Sequence, residues 1–139
     1  MQGYNCIMIF EKNMKRMLMC ERMKDPYKGL YNLVGGKIEP EEDGETAAYR
    51  ELFEETGIGR KDVHLIHLMD FTYYCADCYV ECYVGRLSRD VELVEEKNPL
   101  LWMDVDQDFF TMERFAGEGN IGHMLEQVKL LPPSVLSVS

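Results

Sequence analysis

Basic residues are in short supply. Lys and Arg number 15 against 25 Asp and Glu, a formal net charge of -10 over 139 residues. Binding to a nucleic-acid backbone or an anionic membrane draws on a Lys/Arg surplus, so neither is an expected partner. A small anionic ligand fits such a chain only with a cation between them. Long hydrophobic runs are absent too, and no stretch approaches a membrane span. The opening MQGYNCIMIF lacks a basic region followed by a long apolar run, so no signal peptide is expected and a cytoplasmic location is the default. Cysteine is sparse, with Cys6, Cys20, Cys75, Cys78 and Cys82. Cys75 and Cys78 form a CxxC, but a structural zinc site wants a second ligand pair at similar spacing, and the chain has none. Cys78, Val80 and Cys82 alternate in a strand-like run, so Cys78 and Cys82 share a face, where free Cys commonly sits buried.

What is present is a globular composition, 46% hydrophobic, in a length suited to one domain. No internal repeat divides it. A single domain over 1–131 and a short tail over 132–139 are expected, frayed over SVLSVS (134–139) after Pro132 and Pro133. Residues 3–10 and 16–22 read as a hairpin around EKNMK. Pro26 and Gly29 punctuate a following loop. A helix is expected from about 44 to 56. Asp43 is its N-cap, Glu45 lies in its first turn and Gly57 is its left-handed C-cap. Its apolar stripe is Ala48 and Leu52, extended to Phe53. Residues 63–74 and 79–87 read as a strand pair around CADC, and 100–105 as a further strand. Helical pieces are expected near 106–114 and 120–131. The second is amphipathic through Ile121, Met124, Leu125 and Val128. Strands flanked by helices with one hairpin imply an α/β fold with a mixed sheet.

The most acidic stretch, GKIEPEEDGETAAYRELFEETGI over 36–58, poses a problem. Glu51, Glu54 and Glu55 stack at i, i+3 and i+4 on one helical face, where like charges repel. The surrounding spacing is tight: Gly36, five residues, Glu42, seven residues, then Arg50-Glu51-Leu52, Glu54-Glu55, Gly57-Ile58. Every defined position matches GX5EX7REUXEEXGU, with U apolar, so the chain resembles the Nudix (MutT-like) hydrolases. Seven fixed letters coincide by chance on the order of once in 10⁸ placements, which sets aside a plain solvated acidic face. The physics agrees. Three carboxylates within one turn make a hard-oxygen site for Mg²⁺ or Mn²⁺, and the metal removes the repulsion.

The resemblance implies a Nudix fold, an α/β/α sandwich with a mixed β-sheet. It also implies hydrolysis of the pyrophosphate linkage of a nucleoside diphosphate derivative. Glu54 and Glu55 are then expected as metal ligands, Glu51 as a ligand or base and Gly36 as a carbonyl ligand. Arg50 is expected to orient a neighbouring Glu, and Glu42 is more often structural. One more Glu on a loop before the last strand is common, and Glu95 or Glu96 lies near that place.

The substrate must be sought outside the box. Tyr31-Asn32-Leu33-Val34-Gly35-Gly36-Lys37 resembles oxidised-purine nucleoside triphosphatases, where the Asn amide reads a base edge. The bland alternative is that Asn32 caps local backbone. Lys37 joins the expected substrate contacts, with Tyr31, Trp102 and the loop FAGEGNIG as further walls. That loop lacks a paired Asp, for which Glu118 is the available substitute. No Pro occurs between Pro40 and Pro99, unlike ADP-ribose pyrophosphatases. Tyr73 or Tyr74 lies where dinucleoside-polyphosphate hydrolases carry a Tyr. The expected substrate is a purine or oxidised-purine (deoxy)nucleoside triphosphate. ADP-ribose, nucleotide sugars and dinucleoside polyphosphates are the alternatives, with a non-catalytic ligand sensor as the reading from another class. The oligomeric state, monomer or homodimer, is left open.

Overall fold

The computed structural model describes residues 1–137. Six strands and two helices follow in the order β1 (Gln2–Phe10), β2 (Arg16–Glu21), β3 (Tyr31–Asn32), α1 (Gly44–Thr56), β4 (Ile66–Tyr73), β5 (Cys78–Arg86), β6 (Leu100–Asp104) and α2 (Asn120–Lys129). The strands form one mixed sheet in the order β3-β2-β1-β5-β4, with β6 on the other side of β2. β1 runs parallel to β5, from Gln2 opposite Cys78 to Phe10 opposite Arg86. The other pairings are antiparallel.

Ile7–Phe10 of β1 and Cys82–Gly85 of β5 are buried on both faces because the sheet is covered on both sides. Met8, Phe10, Met17, Met19, Cys82 and Val84 face α2, packing on Ile121, Met124, Leu125 and Val128. Ile7, Ile9, Leu18, Cys20 and Tyr83 face α1, packing on Ala48, Tyr49 and Leu52. The expected sandwich is therefore present, with period-2 strands dividing their side chains between two helices.

α1 starts and stops as its sequence dictates. The Asp43 carboxylate accepts the Thr46 N–H at 2.8 Å, and Gly57 caps the other end at φ 80°. Phe53, however, is 62% exposed and lies off the apolar stripe.

Three further expectations need correction. Residues 106–114 form turns instead of a helix. Asp104 and Asp108 accept the N–H groups of Asp106 and Phe110, and Gln107 and Thr111 bond back to the same stretch. Such local bonds compete with helical ones. β4 begins at Ile66, because the Leu65 N–H is taken by the Tyr49 hydroxyl at 2.8 Å. The tail is not frayed over 134–137: it turns back, Leu136 packs on the core, and its carbonyl accepts from Arg86. Val138 and Ser139 lie outside the described residues. Among the described residues no helix is long and apolar enough to cross a membrane.

β1 and β2 pair only near their connecting turn and then diverge. The segment after β3 fills the gap, with Ile7 N–H bonded to Val34 O and Asn5 N–H to Gly36 O. This divergence places the glycine pair beside α1 and opens a cavity on the α2 face.

Candidate active site

Gly35 and Gly36 thread between β1 and α1. Gly35 sits at φ 148°, and a Cβ there would lie 2.2 Å from the Asn5 carbonyl oxygen. A Cβ on Gly36 would lie 2.5 Å from the Glu51 carboxyl group. Only glycine lets the backbone pass this closely. Asn5 holds the segment twice, accepting the Gly36 N–H on Oδ1 at 3.0 Å and donating its own N–H to Gly36 O at 2.8 Å. One lone pair of that carbonyl stays open, compatible with the ligand role expected of Gly36.

Arg50 gathers the carboxylates. Its guanidinium bonds Glu42 through Nη2 at 2.5 Å and Nε at 3.0 Å, and through Nη1 it reaches Glu51 at 3.1 Å and Glu54 at 3.2 Å. Nη2 also donates to the Lys37 carbonyl. The bidentate contact lowers the Glu42 carboxyl below its ordinary range, and the carboxylates raise Arg50. Glu55 faces the other way and accepts the Gly35 N–H at 2.8 Å. Burial pushes Glu55 up to about 7. The Glu51 and Glu96 charges add to that rise, and the Gly35 bond opposes it. Burial likewise raises Glu51, against the pull of Arg50.

Among the described residues no three Asp, Glu, His or Cys groups already converge as a metal requires. Arg50 accounts for this by drawing Glu51 and Glu54 toward itself. The donor set still fits a hard divalent cation. The groups are carboxylates and one carbonyl, and burial, with mutual repulsion adding to it, raises Glu51 and Glu55, a cost that a bound cation would offset. Glu51, Glu54, Glu55 and the Gly36 carbonyl would hold the ion. Of the loop pair, Glu95 is engaged locally, accepting the Leu100 N–H at 2.7 Å, whereas Glu96 acts electrostatically on Glu55.

A cavity of about 520 Å³ runs from Gly36, Lys37 and Glu55 across the sheet to α2. Its floor carries Cys6, Cys78, Val80, Cys82 and Phe71, so the shared face of Cys78 and Cys82 is a wall of this space. Ile121 and Met124 close it from α2. Polar side chains, among them Asn32, Glu118 and Asn120, share the lining with this apolar surface. Asn32 lines the cavity, and its Oδ1 accepts the Leu33 N–H at 2.8 Å, so it caps local backbone while its amide NH₂ stays uncommitted. Glu118, held at φ 51°, accepts the Tyr27 hydroxyl proton at 2.8 Å. Burial, with that contact adding to it, pushes the Tyr27 phenol up to about 12. Asn120 Nδ2 donates to the Tyr73 hydroxyl.

Two expected walls lie elsewhere. Trp102 pairs with Leu18 across β2 and β6, which turns its ring toward the α1-side core. Tyr31 packs on Phe115, with Arg114 over its ring. The expected loop FAGEGNIG does line the cavity, Asn120 included, whereas Asn5, Cys6, Phe71 and Tyr27 were passed over as site residues. Strand alternation could have found two of them, since Cys6 and Phe71 fall on the Cys82 face. Loop contacts such as Tyr27 with Glu118 leave no such signal.

Comparison with known proteins agrees with this geometry. The chain is 29% identical over 98 residues to the NAD-capped RNA hydrolase NPY1 of Saccharomyces cerevisiae, covering 63% of this chain and 24% of that protein. It is 27% identical over 104 residues to the human nucleoside diphosphate-linked moiety X motif 6, covering 70% and 33%. The chain thus spans a quarter to a third of the length of these curated relatives. Among solved structures, the binary complex of a C. elegans Ap4A hydrolase superposes with a TM-score of 0.74 at 17% identity, covering 94% of this chain and 96% of that one, a likeness of fold alone. The NUDIX domain family model matches residues 2–127, which takes in the glycine pair, the carboxylate helix and most of α2, and the chain belongs to that family.

Proposed function

We propose that the chain hydrolyses the pyrophosphate linkage of a nucleoside diphosphate derivative with Mg²⁺ or Mn²⁺. The preferred substrate is a purine or oxidised-purine (deoxy)nucleoside triphosphate, cleaved to the monophosphate and pyrophosphate. One observation carries the reading: a single cavity has Glu55, Gly36 and Lys37 at one end and an apolar, thiol-lined floor at the other. Such a space suits a phosphate chain joined to a flat base.

The divalent cation supplies charge neutralisation of the transferring phosphoryl group and acidifies water. The chain's own residues do the rest. Glu51, Glu54 and Glu55 provide the oxygen donors, and Arg50 fixes Glu51 and Glu54 in orientation through charge-assisted bonds. Glu51, whose proton affinity burial raises, is the candidate to take a proton from the attacking water. Glu96 stands beside Glu55 as an added negative group. Lys37 offers a cation to the phosphate chain, and the Asn32 NH₂ offers donors to the base edge. Attack occurs at phosphorus, with no covalent intermediate.

A second reading is a dinucleotide or dinucleoside polyphosphate. It is favoured by the similarity to the NAD-capped RNA hydrolase NPY1. A panel of purine and pyrimidine triphosphates, oxidised purines, ADP-ribose and dinucleotides, each with Mg²⁺ and with EDTA, tests both. Turnover of purine triphosphates to monophosphate and pyrophosphate is expected. Binding without metal-dependent turnover of any member would favour the sensor instead.

A further inference from the structure

Away from the cavity, Arg60, Lys61, His64 and Arg86 line a separate cleft of about 260 Å³, closed on one side by Val63, Val135 and Leu136. Among the described residues no lining residue is acidic, and none belongs to the cavity described above. In a chain of net charge -10, this concentration of cations needs a cause.

Their neutralisation is only long-range: Asp43 feels Arg60 and Asp62 feels Lys61, without an ion-pair contact. Among the described residues no carboxylate lies within ion-pair distance of Arg60, Lys61 or Arg86. Asp62, between two lining residues, is turned away and bonded to Arg89 Nε at 2.7 Å and to the Gly59 N–H at 2.9 Å. Arg86 is half-buried. Its Nε donates to the Lys12 carbonyl at 2.7 Å and Nη1 to the Leu136 carbonyl at 3.3 Å, which fixes the guanidinium and leaves Nη2 without a partner among the described residues. Arg60 lies 3.9 Å above the Tyr49 ring centroid, a stacking that also restricts its guanidinium. The Ser88 and Ser137 hydroxyls donate to backbone carbonyls, so the donors left to a ligand are the cationic ones.

We propose that this cleft binds a small phosphomonoester. A guanidinium fork matches phosphate oxygens, and the near-dianionic ester offsets more than one cation where a carboxylate offsets one. The valine and leucine side chains face the organic part of the ester, which inorganic phosphate lacks. The site is independent of the hydrolytic reading and stands or falls alone.

The test is a titration of the ¹⁵N-labelled protein with ribose 5-phosphate, ribose and inorganic phosphate. Amide shifts of Lys61, His64 and Ser88 report on the cleft. Saturable shifts with ribose 5-phosphate are expected, with none from ribose and at least tenfold weaker binding of inorganic phosphate. Arg60→Glu and Lys61→Glu, both at exposed positions, are each expected to weaken ribose 5-phosphate at least tenfold while the remaining spectrum stays intact. Unsaturable shifts, shifts from ribose alone, inorganic phosphate binding equally well, or unchanged affinity in both variants would overturn the assignment.

Discussion

At its Gly36 end the cavity is walled chiefly by α1 and the glycine loop, which Asn5 of β1 holds; at its Asn120 end it is assembled from β1, β4, β5, α2 and two loops. The first end is built from short-range spacing. Glu51, Glu54 and Glu55 stand together because a helix repeats every 3.6 residues, and Gly57 stops that helix where needed. The second end is built from contacts between remote segments, such as Tyr27 with Glu118 and Tyr73 with Asn120. Chemistry should therefore be lost at the first end for every substrate. At the second end only preference should change.

The sharpest way to break that division is Glu54→Gln. It keeps shape and removes charge, and kcat should fall by about 10²-fold or more for all substrates. Near-normal turnover would end the claim that the helix end carries the reaction. Asn32→Ala should act at the other end. A loss of about 1–3 kcal/mol in kcat/KM is expected for the preferred purine substrate, with little change for a pyrimidine triphosphate. An equal loss for both would make Asn32 a scaffold residue through its bond to Leu33.

Metal removal sharpens the helix end further. Glu55 has a folded pKa raised to about 7 by burial, above the ordinary carboxyl value near 4.3. The folded state then binds the extra proton between these values. The stability it contributes is present below the ordinary value and is lost as pH rises toward about 7. In EDTA the melting temperature should fall over that window. Millimolar Mg²⁺ should raise the midpoint at pH 7.5 through preferential binding to the folded state. A flat profile in EDTA would show that burial does not raise Glu55, and no shift with metal would count against the site. The smallest effect belongs to Tyr27→Phe. It removes one exposed hydrogen bond to Glu118, so thermal stability should change by no more than about 0.5 kcal/mol and kcat/KM by less than tenfold. A large kcat loss would show the far end reaching into the chemistry.

Legibility followed the same divide. The hairpin, α1 with both caps, the strand faces of β1 and β5 and the spacing of the box could be read from residues close in sequence. The α2 stripe was legible through Ile121, Met124, Leu125 and Val128. The stretch 106–114 was not, because Asp104 and Asp108 turned apolar spacing into a chain of side-chain-capped turns. Trp102 was misplaced because its face depends on the register of β6 against β2, which no local pattern sets. Phe53 followed the helical stripe on paper yet stayed exposed, since the sheet meets α1 through Ala48 and Leu52.

The parallel pairing of β1 with β5 has a consequence for the living chain. Gln2 waits for Cys78 and Phe10 for Arg86, so β1 leaves the ribosome well before its main partner exists. At about 5–20 residues per second, the apolar run Ile7–Phe10 spends several seconds without that cover. Its antiparallel neighbour β2 shields only the end near the turn during that interval. Synthesis slowed between β2 and β5 should therefore raise aggregation during expression, and early chaperone capture should fall on the first strand.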